Sequence, residues 1–555
     1  SKNSEYANQT FVILPTNNLG RLNTLAEKLE AQDIEIYLNT SPIQTKSALK
    51  QTGDSVENFT IPVGSMIIPN LQPEAPLIAA ILEFDAEIIE SVLEEERRQR
   101  LKNSSSIMYD TTAFNLTMMY GLEAVTVQEN IQKNLKKWKP IEVNLDVQED
   151  ALMWAVNGID DRSVAFAARL MELGVEVRII DKDALLSEQS LPRGSVVVID
   201  MDNPDYEGLS SVVSAIALEL NLPVSSISSG FGAEELPDWG GEHFKLLERP
   251  QIALMGHQDF SSYDVGVSWW SLDHHLGIRH SMVNGSSLSY GDLRRYNTII
   301  MPSGYLNLSN SEMNSLKEWV RQGGTLIAHN ASSRSLSFEN GIGSVRQVSS
   351  TFGDSEEYNM DLQREFGALN VEIDMEKTND NKIDFDVAYP WEGSKNKFNK
   401  SQLEKRDEWQ SLFMPSGSFV AGRIDDEHWL TYGSISTLPV LYANYPVLMT
   451  GNGSDAAVRI GELIESDDET YRSINWSDMP PKTDLNVRMS GLVWPEASQR
   501  IANSAYLTRE RIGRGQVILF AGEPNFRGAA LGTNRLWLNA VVYGSGLGTS
   551  ARIVP

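Results

Sequence analysis

The sequence predicts an α/β protein made of several doubly wound parallel-sheet units, with an inserted irregular region and some β structure. Three observations predict it. Short apolar β-type runs alternate with amphipathic helical stretches, the signature of crossover units. The order of landmarks in residues 1–148 returns in residues 149–248. Finally, residues 251–330 hold four strand-like runs with a well-signalled helix before the last of them.

The first unit opens on residues 11–15, FVILP, which read as a buried strand. Leu22, Leu25, Ala26 and Leu29 then recur at i, i+3, i+4 and i+7, one apolar face of a helix. Residues 34–38 and 61–69 (IPVGSMIIP) give two more strands, and 75–82 an apolar helix. From Ala151 the order repeats: ALMWAV, then a helix with Val164, Ala167, Ala168 and Met171 on one face and Gly174 as its C-cap. Next come VEVRIID, LPRGSVVVID and a helix over 208–220. Val175 lies 141 residues after Ile34, while Gly194-Ser195 lies 130 after Gly64-Ser65, so the first copy carries 11 extra residues in its middle loop. Shared order, spacing and the Gly-Ser landmark predict an internal duplication. Residues 84–102 between the copies are a charged amphipathic helix, expected to present a solvated face. The units end near 148 and near 248, where Glu248-Arg249-Pro250 breaks the chain.

The third α/β domain spans 249–555. Its strand runs are 252–255, 278–283, 298–301 and 325–328. Ser309 and Glu312 form a capping box ahead of Met313, Leu316 and Val320, and Gly323-Gly324 ends that helix. At about 335–412 the chain turns polar, as expected of a long inserted excursion. Asp380, Asp384 and Asp386 there lack the spacing of a calcium loop. Regular structure resumes at 417–433 and 487–493 and closes with a strand over 514–523 and a helix over 532–544.

A chain of 555 residues exceeds one core. Its 75 acidic against 47 basic residues, net −28, exclude nucleic acid and anionic membrane as partners, because phosphates would be repelled. No apolar run reaches the roughly 20 residues of a membrane span. Zero cysteines exclude disulfides, thiolate metal sites and a cysteine nucleophile. The chain begins Ser-Lys-Asn, so a removed leader or a longer parent protein is expected.

Open parallel sheets bind ligands at the carboxyl ends of their strands. That rule singles out His257, Ser303 and His329 as ligand-binding candidates. Arg527 is a fourth, as a carboxylate binder, with an internal ion pair as the competing reading. His274 and His275 are adjacent, so on a helix their rings point about 100° apart and do not chelate one metal. Gly230-Phe231-Gly232 and Gly240-Gly241 match no phosphate loop, since no Lys-Ser/Thr follows.

Several pieces carry a resemblance. They are Tyr109-Asp110-Thr111-Thr112-Ala113-Phe114, the two Gly-Ser strands, Met414-Pro415-Ser416-Gly417-Ser418 with Ile424-Asp425, and Ser490-Gly491. Gly513-Arg514-Gly515-Gln516-Val517 follows, then Pro524-Asn525-Phe526-Arg527-Gly528 before Asn539-Ala540. Their order resembles the long C-terminal region of large bacterial zinc carboxypeptidases of the carboxypeptidase A-like class, over nearly the whole chain. The resemblance implies a third domain similar in fold to class I glutamine amidotransferases, a zinc peptidase domain ahead of this region, and a secreted, periplasmic or cell-envelope location. Zinc as a cofactor is then expected only in that preceding domain. None of the seven histidines here has Glu three residues on, and H-E-x-x-H is absent, so the catalytic zinc pattern is missing.

An amidotransferase-type hydrolase needs a nucleophile on a tight elbow after a central strand. The sequence offers His329-Asn330-Ala331-Ser332 there, without flanking glycine, and His329 is read as the residue in the nucleophile's place. The expectation is therefore a noncatalytic accessory region serving interdomain scaffolding or peptide or glycan binding, with no catalytic or metal residues of its own. The alternative is an independent hydrolase using a His257/His329 cleft.

Overall fold

The computed structural model describes residues 5–550 except 142, 144, 234–235, 258, 289–291, 370 and 372–397. In the first unit, β1 (Thr10–Ile13) is buried at all four positions, as expected of a strand covered on both faces. Helix α1 (Leu19–Glu30) is capped by Asn18, whose side chain accepts from Arg21 N, and buries Leu22, Leu25, Ala26 and Leu29. Then come β2 (Tyr37–Asn39), β3 (Met66–Pro69), α2 (Ala75–Leu82), α3 (Glu90–Asn103), β4 (Ala124–Val127) and β5 (Leu135–Lys137).

The second unit runs β6 (Met153–Val156), α4 (Arg162–Glu172), β7 (Arg178–Ile180), β8 (Val196–Ile199), α5 (Leu209–Glu219), β9 (Ser225–Ile227) and β10 (Phe244–Leu246). Its sheet order is β9-β6-β8-β7-β10, and the first unit's is β4-β1-β3-β2-β5, the same arrangement strand for strand. The first sheet is longer because Ser47–Lys50 and Ser55–Glu57 extend it beyond β4.

Both units depart from the parallel sheets expected of them. Every pairing in the two sheets is antiparallel. The crossover through α1 does join strands of like direction, but β3 lies between β1 and β2 and opposes both. The return into that gap carries no helix. In the second unit it is the hairpin Ala184–Leu186/Gln189–Leu191, and a connection of that kind reverses the chain. Each return ends in the same turn. Gly64 (φ 83°) and Gly194 (φ 87°) take the left-handed conformation, which glycine adopts without a Cβ penalty. The following hydroxyls donate alike, Ser65 Oγ to Pro62 O at 2.8 Å and Ser195 Oγ to Pro192 O at 2.6 Å.

The third part does carry the parallel sheet. It comprises β11 (Ile252–Gly256), α6 (Ser262–Trp270), β12 (His280–Asn284), β13 (Thr298–Met301), α7 (Asn310–Arg321), β14 (Thr325–His329) and α8 (Ala331–Leu336). Further on stand α9 (Ser355–Leu369), α10 (Lys400–Ser411), β15 (Ser418–Ile424), β16 (Thr437–Tyr442), β17 (Ser454–Ile460), β18 (Ala505–Ile512), β19 (Gly515–Phe520) and α11 (Leu531–Leu547). Strands β12-β11-β13-β14-β19 are parallel neighbours. The sheet then continues antiparallel through β18, β17, β15 and β16. The Ser309–Glu312 capping box forms in both directions at the start of α7. The whole is thus a mixed α/β structure with mixed parallel and antiparallel sheets.

Three further expectations change. The excursion at about 335–412 is partly regular, since α9 and α10 lie within it; Asp380, Asp384 and Asp386 fall outside the described residues. Helix α3 is not simply a solvated charged face, because Glu96 is fully buried beneath Arg100 and also accepts from Ser106 Oγ and Ile107 N. The boundary near 248 does not divide the core, for Trp154, Val164 and Phe166 of the second unit belong to one apolar cluster with Leu254, Ile300 and Ile327 of the third part.

Some of the motif pieces behind the carboxypeptidase resemblance touch one another. Thr112 Oγ1 donates to Gly417 O at 3.0 Å, lies 2.8 Å from Ser418 Oγ and accepts from Leu492 N at 2.9 Å. A Cβ on Gly491 would sit 2.8 Å from that same hydroxyl oxygen. Asp110 holds Arg527 through two hydrogen bonds of 2.8 and 3.1 Å. These residues tie the first unit to the C-terminal strands and helix.

Candidate functional site

Strand β14 ends in a sharp turn into α8, and the residue at the turn is Asn330, with φ 51° and ψ −116°. Its N–H still donates to Phe520 O at 3.1 Å, continuing the ladder with β19. Its carbonyl already accepts from Arg334 N in the helix. A non-glycine residue in this conformation costs on the order of 1–3 kcal/mol, and such strain concentrates at functional sites. The geometry is that of a strand–nucleophile–helix elbow, but its occupant is an amide. His329, read from the sequence as that occupant, stands one residue earlier.

Around the elbow sits a pair of acids. Asn330 Nδ2 donates to Glu523 Oε1 at 3.1 Å, and the Glu523 carboxyl lies near that of Asp264. Asp264 occupies the first turn of α6, capped by Ser261, and is 5% exposed. Glu523 follows β19, so both carboxyls lie at the carboxyl ends of parallel strands, where the sheet opens. Burial first, and then the Asp264 charge, push the Glu523 carboxyl up to about 7. Burial likewise raises Asp264. Two carboxyls this close cannot both ionise cheaply, so the pair holds one proton near neutral pH. Tyr445 and Tyr506 wall the pair: a Cβ on Gly522 would meet Tyr445 Cε2 at 2.5 Å and Tyr506 Cε2 at 3.1 Å. The arrangement can hold, donate or accept a proton. The elbow position itself carries an amide and no hydroxyl or thiol nucleophile.

No family model matches this chain, and no curated protein does. Among solved structures, a β-galactosidase from Bacillus circulans sp. alkalophilus aligns over 54% of this chain and 32% of its own, with 12% identity and a TM-score of 0.27. An exo-β-1,4-mannosidase from Opitutaceae bacterium strain TAV5 aligns over 54% of this chain and 37% of its own, at 11% identity and TM-score 0.25. A putative ThuA-like protein from Bacteroides uniformis aligns over 52% of this chain and 89% of its own, at 12% identity and TM-score 0.25. The aligned part thus spans about a third of the galactosidase. These likenesses assign neither family nor function.

The residues singled out from the sequence do not form one site. His257 (φ 74°) is exposed and lines an apolar groove with Phe260, Val265, Trp269 and Met282. His329 is 0% exposed, with neither ring nitrogen bonded among the described residues, and burial lowers it to about 3. A solvated His257 and a sealed, neutral His329 make no common cleft. Ser303 contributes its backbone, its carbonyl accepting from Ser261 N at 2.8 Å at the start of α6. Arg527 is engaged by Asp110. Among the described residues no three His, Asp or Glu side chains gather as a metal site, and no helix is long and apolar enough to cross a membrane.

Sequence reasoning missed Asn330, Asp264 and Glu523. Asn330 was within reach, because a strand run followed directly by Ala-Ser-Ser-Arg-Ser-Leu leaves one residue for the turn. Asp264 and Glu523 stand 259 positions apart in the sequence, and no local pattern joins them.

Proposed function

We propose that this chain is a noncatalytic accessory region of a secreted or envelope zinc carboxypeptidase-like protein, acting in interdomain scaffolding or in binding peptide or glycan. The observation that carries the reading is Asn330, an amide where an elbow would present a nucleophile. The scaffolding role is supported by the ties between distant segments. Asp161 of α4's start is held by Arg21 of α1 and by Arg535 of α11, and Arg97 of α3 pairs with Glu496. The third part is read as class I glutamine amidotransferase-like on its parallel strands and elbow. The first two units are read as duplicates, supported by their common strand order and common Pro-x-Gly-Ser turn. Zinc belongs to a peptidase domain ahead of this region.

The second reading, an independent hydrolase, is favoured by the Asp264–Glu523 pair, which could activate a water as general base. One set of measurements separates the two: metal analysis of the purified chain, with carboxypeptidase, amidase and esterase substrates. The expected outcome is neither metal nor turnover. Stoichiometric zinc overturns the accessory reading, and so does turnover abolished by Glu523→Gln.

A further inference from the structure

A cavity of about 550 Å³ opens where the three parts of the chain meet. Its volume lies within the range of small-ligand sites. The floor is polar and buried. Arg21 and Arg535 both engage Asp161, and Arg21 also donates to Tyr120 O and Gly121 O. Burial alone would raise the Asp161 carboxyl, but Arg21 and then Arg535 hold it below the ordinary carboxylate range.

The wall beneath Trp270 is a π-helical turn, Ser271–Leu276, a rare geometry found mostly at functional sites. It sets up a directed relay. Asn525 Nδ2 donates to Ser271 Oγ at 3.3 Å, Ser271 Oγ donates to Asn534 Oδ1 at 3.3 Å, and Asn534 Nδ2 donates to His275 Nδ1 at 3.0 Å. That order makes Nδ1 an acceptor and places the ring proton on Nε2. His275 lines the cavity and, with burial and then His274 lowering it to about 4, remains neutral. The Asn23 amide also lines the cavity and is 8% exposed, its Oδ1 turned into the protein without a partner among the described residues. Trp270 is 42% exposed and stacks on His274 with ring centroids 4.1 Å apart.

The charges of the wall are already matched. Arg162 pairs with Asp160 and Arg169 with Glu219, while Glu27 and Lys28 stand exposed at the rim with opposite signs. An anion or cation entering here would find its counter-charges engaged. What remains is a lining amide, a neutral imidazole and an aromatic surface, the complement of a ring that carries hydroxyls on its edge and C–H groups on its face.

We propose that this junction cavity is a binding site for a neutral saccharide, with Trp270 under the sugar ring and Asn23 and His275 bonded to its hydroxyls. The proposal rests on the binding-module reading above and names the ligand class for it.

The test is tryptophan fluorescence and saturation-transfer NMR of the full chain with cellobiose, xylobiose, mannobiose, maltose and diacetylchitobiose, with inorganic phosphate as the anionic probe. At least one disaccharide is expected to bind with a Kd of about 1 mM or tighter. Trp270→Ala should weaken it about tenfold and Asn23→Ala several-fold, while Arg98→Ala, in an exposed pair outside the cavity, leaves it unchanged. The proposal is overturned if no disaccharide binds up to about 10 mM, if Trp270→Ala and Asn23→Ala both bind as the parent does, or if phosphate displaces the sugar. Saccharide that binds and is then hydrolysed keeps this site and sinks the noncatalytic reading. Absence of binding without activity sinks the site and leaves the scaffold.

Discussion

Asn330 Nδ2 donates to Glu523 Oε1 across the mouth of the parallel sheet, joining the turn after β14 to the loop after β19. The bond offsets part of the backbone strain at Asn330 and anchors one member of the buried acid pair.

The strain is separable from the bond. Asn330→Ala removes the amide and keeps a Cβ at φ 51°; Asn330→Gly removes both. The glycine variant should be the more stable of the two by about 1 kcal/mol, measured by urea unfolding at fixed pH. Equal stability would show that the turn relaxes once the amide is gone.

Stability should fall with rising pH through the acid pair. Glu523 binds its proton more tightly folded than unfolded, so the folded state holds the extra proton between the ordinary carboxylate value and about 7. Its favourable contribution is therefore complete below about pH 4.5 and is lost as pH rises through about 7. The loss for this residue is on the order of 3 kcal/mol. Urea midpoints of the parent and Glu523→Gln, compared from about pH 4.5 to 7.5, should diverge in slope, with the variant flatter. Parallel slopes would mean that Glu523 titrates as a solvated carboxyl.

Asp161 should be among the most sensitive positions in the chain. Arg21 is 2% exposed and Arg535 0%, so Asp161→Asn leaves two buried guanidinium groups short of their counter-charge. A cost of about 3–5 kcal/mol is expected. The exposed pair Arg98–Glu95 is the control, and Arg98→Ala should leave the melting temperature close to the parent's. Thermal melts of the two variants check the contrast.

The Arg527–Asp110 pair has good geometry in a solvated place, its side chains 55% and 36% exposed. A double-mutant cycle should give a weak coupling that fades as salt is added. Arg527→Ala should leave saccharide binding intact, in line with a tie between segments and not a ligand contact.

The sequence by itself determined the class of most elements and several of their ends. Apolar runs at period 3.6 become α1 and α4, the Ser309–Glu312 box starts α7, and Gly174 follows α4 with φ 85°. These features are local: a cap or an apolar face is decided by residues within a turn or two of one another. The landmark Gly-Ser pairs were also legible, since a left-handed turn leaves a glycine in the sequence wherever it recurs.

Only the tertiary structure decided strand direction in the first two units, because burial of β1 or β6 reads the same beside a parallel or an antiparallel neighbour. It also decided the elbow's occupant. A register one residue later put Asn330, and not His329, at the turn, and sealed the His329 ring in the core. The Asp264–Glu523 pair and the Arg21–Asp161–Arg535 junction join segments far apart in the chain, and their charges depend on shared burial. Desolvation and proximity are properties of the packed fold, and no spacing along the chain records them.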